Sequence, residues 1–162
     1  MILDDTDKKI LTFLQEDAKL TTKQLAHHLN LTVTPVFERI KKLEKAGYIK
    51  KYVALVDKKK LGKQLTVFCH VSLKDHDKKM IHLFEQQVIR IPEIMECHNI
   101  AGEFDYMLKI VTDDMETYHR FIYNKLAAIE NIANMNSSFV MNELKYSTAF
   151  SLEPCGSVRG GQ

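Results

Sequence analysis

Cysteine is scarce: Cys69, Cys97 and Cys155 are an odd number with no CxxC spacing. That excludes a disulfide framework and leads us to expect reduced thiols in a cytoplasmic protein. Long apolar runs are missing too. None approaches the roughly 20 residues that span a bilayer, so no membrane partner is expected. The opening MILDDTDKK lacks the apolar stretch and cleavage pattern of a signal peptide. No P-loop, glycine-rich dinucleotide fingerprint or Ser-His-Asp arrangement occurs. The pairs Cys69-His70 and Cys97-His98 raise a zinc reading, but neighbours in a strand face opposite sides and cannot both reach one metal. We therefore expect no metal and no cofactor.

What is present is an uneven charge. The chain has 162 residues, enough for one good core or two small ones, and a net charge of +2. Residues 1–60 hold 13 Lys and Arg against 8 Asp and Glu, whereas residues 61–162 hold 10 against 13. A basic first part suits a polyanion, although a merely solvated surface would also account for it.

The stretch Thr32 to Lys45, TVTPVFERIKKLEK, reads as a helix with an apolar stripe at Val36, Ile40 and Leu43. At about 100° per residue the stripe leaves Thr34, Glu38, Lys41 and Lys45 pointing away, with Phe37 and Lys42 beside them and Arg39 at the border. Before it, a first helix should start after Asp4, bury Ile10, Leu11 and Leu14, and end near Asp17. A second begins at the capping box Thr21 to Gln24 and buries Leu25, Ala26 and Leu29. Thr32 caps the third helix, Pro35 sits in its first turn, and Gly47 stops it. Two capped helices joined by a short turn, behind a supporting helix, make a helix-turn-helix. A small helical bundle without nucleic acid, or a module that binds protein, has the same outline.

After Gly47 the pattern changes. Tyr48 to Asp57 is rich in β-branched and aromatic residues and predicts a strand, followed by a Lys58 to Gly62 hinge. The remainder predicts strands at 65–73, 94–101, 105–112 and within 136–147, with helices at 78–90 and 115–129. Met80, Leu83, Phe84 and Val88 would face inward from the first of these helices, and Tyr118, Phe121, Ile122 and Leu126 from the second. The order β-α-β-β-α-β is that of a ferredoxin-like split sandwich within an α+β chain. Phe68 and His70 fall on the opposite sheet face from Val67 and Cys69, and a second copy is the economical cover, which predicts a homodimer. We divide the chain into residues 1–50, a 51–63 β linker, a 64–152 sheet domain and a mobile tail from 153.

A set of short motifs runs through the chain: Leu3-Asp4, Asp7, Ile10-Leu11, Leu31-Thr32-Val33-Thr34-Pro35, Arg39-Ile40, Leu43-Glu44, Gly47-Tyr48-Ile49, Glu96-Cys97-His98 and Gly102-Glu103-Phe104-Asp105-Tyr106. In these, residues 3–152 resemble the Lrp/AsnC family of feast/famine transcriptional regulators. Each motif alone is weak, and their order over nearly the whole chain is specific. Val33 and Glu103 depart from the usual pattern. The resemblance implies a winged helix-turn-helix domain, a β linker and a ferredoxin-like effector domain. It also implies homodimers assembling to tetramers or octamers, and small effectors, typically amino acids, bound between dimers.

For double-stranded DNA the candidate residues are Thr32, Thr34, Pro35, Phe37, Glu38, Arg39, Lys41, Lys42 and Lys45. Residues near the helix start reach base edges: Glu38 suits a cytosine amino group, and Phe37 or the Thr34 methyl a thymine methyl. Arg39 either binds phosphate or braces the domain through Glu44. Lys41, Lys42, Lys45, Lys50 and Lys51 suit phosphates. For the effector, the resemblance implies the loop Gly102, Glu103, Phe104, Asp105 and Tyr106, with walls at Ile100, Met115, Phe139 and Val140 and a hydroxyl at Ser138. Asp105 would pair with an α-ammonium group, or serve only the turn. The rival reading is an enzyme, since haem-pathway decarboxylases resemble this architecture.

Overall fold

The structure, a computed structural model, describes residues 2–152. The mobile tail expected from Glu153, and with it Cys155, lies outside the described residues. Two compact units form: the described residues of Met1–Leu55 and Lys145–Gln162 make one, and Val56–Leu144 the other. By contacts, residues 145–152 cluster with the helices and not with the sheet.

The first unit holds α1 (Asp5–Glu16), α2 (Thr22–Leu29) and α3 (Val33–Lys45). Its ends follow local chemistry. Asp4 and Asp7 form a capping box at α1, and Thr21 and Gln24 form one at α2. Asn30, at φ 54°, turns the chain between α2 and α3, and Gly47, at φ 76°, ends α3. Ile10, Leu25, Val36 and Leu43 are fully buried, with Leu11 and Ala26 nearly so. Leu14, Leu29 and Ile40 pack against them half-covered, as does Leu152 from the far end of the chain. Close by, Gln15 Nε2 donates to the Phe150 carbonyl at 3.2 Å and the Phe150 N–H donates back to Gln15 Oε1 at 2.8 Å.

The run after Gly47 corrects the sequence reading. Residues 50–57 form no strand. Strand propensity needs a partner edge, and none of the described strands pairs with this run. Its apolar side chains stay in solvent: Val53 is 57% exposed, Leu55 64% and Val56 68%.

The second unit is a four-stranded sheet ordered β2-β3-β1-β4, made by β1 (Leu65–Leu73), β2 (Ile94–Asn99), β3 (Tyr106–Thr112) and β4 (Ile132–Phe139). All neighbours are antiparallel. α4 (Lys78–Val88) and α5 (Met115–Phe121) supply the helices, and α5 widens into a π-helical turn at Ile122–Leu126. Val67, Cys69, Val71 and Leu73 of β1 share one core with Phe84, Val88, Tyr118, Phe121 and Leu126. That is the split sandwich expected. Cys69 and Cys97 are free thiols, and burial pushes both up from the usual thiol value.

Several boundaries differ, most by one or two residues and those of β4 and the 115–129 helix by more. β4 starts at Ile132, opposite Leu73, and ends at Phe139, opposite Val67. The Val140 N–H still reaches the Thr66 carbonyl at 3.0 Å, after which β1 has nothing left to pair. The long second helix is shorter than expected because the Ala127 N–H reaches back five residues to the Ile122 carbonyl at 2.8 Å. Leu83 is exposed, since α4 turns Phe84 and Val88 inward with Ile81 beside them. No helix among the described residues is long and apolar enough to cross a membrane.

Candidate functional site

The buried line Val36–Leu43 anchors α3 and leaves Thr34, Glu38, Lys42 and Lys45 exposed on the other side. Lys42 and Lys45 meet no partner among the described residues, and both stand in the last turn, where the helix dipole favours cations. Thr32 occupies the N-cap position with extended backbone, but its hydroxyl caps nothing and is left for another acceptor or donor. Pro35 is exposed in the first turn and Phe37 is 50% exposed. The face thus carries hydroxyl, carboxylate, aromatic and cationic groups on one rigid element.

Its flanks are tied down. Arg39 Nη1 donates to Asp4 Oδ2 at 2.6 Å and to Asp7 Oδ1 at 2.7 Å. Of the two roles expected for Arg39 the brace is the one seen, and the partner is corrected: it is the α1 capping box, not Glu44. Asp7 is buried, so a cation must balance it there. The Asp7 N–H, and then the guanidinium, hold the Asp4 carboxyl below its ordinary value. On the other flank Lys41 donates to Glu44 Oε2 at 2.8 Å and Tyr52 donates to Glu44 Oε1 at 3.0 Å. Glu44 is held low by Lys41 and then Tyr52, while burial and Glu44 push Tyr52 up to about 12. The Lys41–Glu44 spacing of three residues on a helix was a legible signal, whereas the role of Tyr52 had none.

The effector candidates fall into two groups. Ile100, Gly102, Glu103, Phe104, Asp105 and Tyr106 lie where β3 begins, beside Val71 of β1. Ser138, Phe139 and Val140 lie toward the other end, beside Thr66 to Phe68, and Met115 opens α5 just after β3 ends at Thr112. Three to five residues of strand separate those ends, roughly 10–17 Å along β1. One chain does not bring them together.

Within the first group, Gly102 adopts φ 142°, and a Cβ there would meet open space. Phe104 stands against the His70 ring at 5.2 Å on the helix-free face of the sheet. Asp105 is fully engaged: Oδ2 accepts from the Leu73 N–H at 2.7 Å, and Oδ1 lies 2.8 Å from His76 Nε2. The Leu73 N–H first, and His76 second, hold its carboxyl below the ordinary value. The geometry favours the turn-serving role of Asp105 over the α-ammonium pairing. Two members lie on the helix side of the sheet. Tyr106 is buried against Phe84, ring centroids 4.7 Å apart, and its hydroxyl donates to Glu85 at 2.8 Å. Phe139 shares the helix-side face with Val67 and meets Tyr118 edge-on at 5.4 Å. Strand register decides both, because one step along a strand reverses the face. A small cavity of about 160 Å³ between Phe84 and Ile129 contains none of the candidates. Among the described residues no three metal-ligating side chains gather.

Comparison with known proteins also separates the helices from the sheet. A family profile described as winged helix-turn-helix DNA-binding matches residues 3–50, and one described as the Lrp/AsnC ligand binding domain matches residues 66–150. The chain is 39% identical to the transcriptional regulator AzlB of Bacillus subtilis, over 90% of this chain and 92% of that protein. It is 34% identical to the DNA-binding transcriptional activator DecR of Escherichia coli, over 94% of this chain and all of that protein. A transcriptional regulator of Neisseria meningitidis, solved as a complex with L-Met, superposes with a TM-score of 0.90 at 34% identity, over 93% of this chain and 97% of the other. These relatives are named as regulators, and the haem-pathway enzyme reading is dropped in their favour. The chain belongs to the Lrp/AsnC family of DNA-binding transcriptional regulators.

Proposed function

We propose that α3 lies in the major groove of double-stranded DNA, with Thr34, Phe37 and Glu38 toward base edges and Lys42 and Lys45 on phosphates. The observation that carries this reading is the pair of unpartnered lysines on a face whose reverse is fully buried. One such helix covers only a few base pairs, so copies of the chain present their helices in pairs at half-site spacing. The exposed run Val53 to Val56 and the helix-free sheet face are the surfaces through which two copies join. Homodimers assemble further, to tetramers or octamers, and the protein works in the cytoplasm.

The effector is an amino acid, a reading supported by the L-Met complex of the Neisseria relative. It sits between copies, where the Gly102 to Phe104 loop of one meets the Met115, Ser138 and Val140 end of another. That arrangement accounts for candidates roughly 10–17 Å apart along the strand in one chain. Loop backbone groups take the polar ends of the ligand, and Asp105 keeps the loop in shape.

Binding to a mixed-sequence duplex over a salt series tests the groove assignment. Lys42→Ala should flatten the slope of log affinity against log salt by about 0.9, whatever the sequence. An unchanged slope would remove α3 from the groove.

A further inference from the structure

We infer that Glu44 and Tyr52 set how many cations the reader helix offers to DNA: Glu44 holds Lys41 in an ion pair, and Tyr52 holds Glu44. This rests on the reading of α3 as the groove helix and goes beyond it. Lys41 projects from the solvent side of α3, one turn after Phe37, and its ammonium lies 5.8 Å from the Phe37 ring centroid. The Glu44 carboxylate is shared between two neighbours, Oε2 with Lys41 at 2.8 Å and Oε1 with Tyr52 at 3.0 Å. These groups close one side of a shallow groove of about 230 Å³ floored by Leu14, Leu20 and Ile40.

A lysine already neutralised by a carboxylate displaces few counterions, so Lys41 adds little to phosphate binding while the pair is made. The pair is exposed, Lys41 by 60% and Glu44 by 30%, and exposed pairs of this kind are weak enough for a phosphate to compete. What keeps the carboxylate in place is the second bond, from Tyr52. That residue belongs not to the helix but to the irregular run beyond it. Tyr52 is therefore a positioning residue acting through Glu44. A change in the course of the run reaches the reader face as a change in available charge, without any movement of α3.

The test is anisotropy-monitored binding of the full chain to a mixed-sequence duplex across a salt series, with thermal unfolding recorded for each variant. Tyr52→Phe removes one hydroxyl and no charge. It should steepen the salt slope, by up to about 0.9, as Lys41 becomes a phosphate partner. Glu44→Gln should steepen it likewise. In a Lys41→Met background both gains should vanish. A Tyr52→Phe slope equal to wild type would overturn the inference. So would a Glu44→Gln gain that persists with Lys41→Met, since that would be the removal of one negative charge acting at a distance. Lys42→Ala, run alongside, separates the two readings: if it flattens the slope while Tyr52→Phe does nothing, α3 stays in the groove and only the Tyr52 relay falls.

Discussion

Among single side chains, Arg39 has the most consequential placement, because its charge faces inward from the border of a helix whose other cations face out. It joins α3 to the capping box of α1 through Asp4 and Asp7, whose side chains are 51% and 5% exposed. Replacing Arg39 with Ala would leave the Asp7 carboxylate with one backbone N–H, from Asp4 at 3.2 Å. We expect a loss of about 1–3 kcal/mol, read by urea unfolding with no DNA present. The pH dependence follows from Asp4. Its folded carboxyl titrates below the ordinary value of 3.8, so its contribution is complete above that value and disappears as pH falls through the lower folded one. The difference between wild type and Arg39→Ala should therefore narrow in acid, below about pH 4.

Individual elements show which parts of the fold were legible beforehand. α1, α2 and α3 were readable to within a residue because their signals are local: the Thr21–Gln24 box, Pro35 in a first turn, Gly47 at a left-handed stop. β1 and the sandwich order were readable from alternation. The end of β4 and the state of residues 50–57 were not, because a strand exists only where another edge faces it, and that is decided by residues far away in sequence. The same holds for the site. Arg39 was recognisable as a brace or a phosphate ligand, but its partners lie 32 and 35 residues earlier. Tyr106 and Phe139 take the helix side of the sheet for reasons of register alone. The loop between β2 and β3 yields the prediction at this scale. Gly102→Ala has room for its methyl group, so its cost is purely conformational, about 1–3 kcal/mol. Thermal unfolding should show that loss, and Asp105→Ala should lower the transition as well by stripping the Leu73 N–H of its acceptor.

For the molecule as a whole, the exposed aliphatic run beyond α3 is the feature least suited to a solitary chain. Val53, Leu55 and Val56 are each more than half exposed on a segment that makes no ladder. Leu55→Asp should shift the assembly toward smaller species in sedimentation equilibrium while leaving the circular dichroism unchanged; an unaltered mass distribution would exclude this run from the contact between copies. The return of the chain end to the helices has a separate consequence. Leu152 lies against the core of the first unit, and Gln15 bonds both the N–H and the carbonyl of Phe150. The unit of the helices thus takes in residues 145–152, with the sheet domain lying between the two parts in sequence. A cut in the Lys58 to Lys60 run would part the helices from residues 145–152 in sequence, and the first 55 residues made alone would lack the cover of Leu152 and the two Gln15–Phe150 bonds. During synthesis the contacts of Phe150 and Leu152 with the helices can form only after the whole sheet domain has been made.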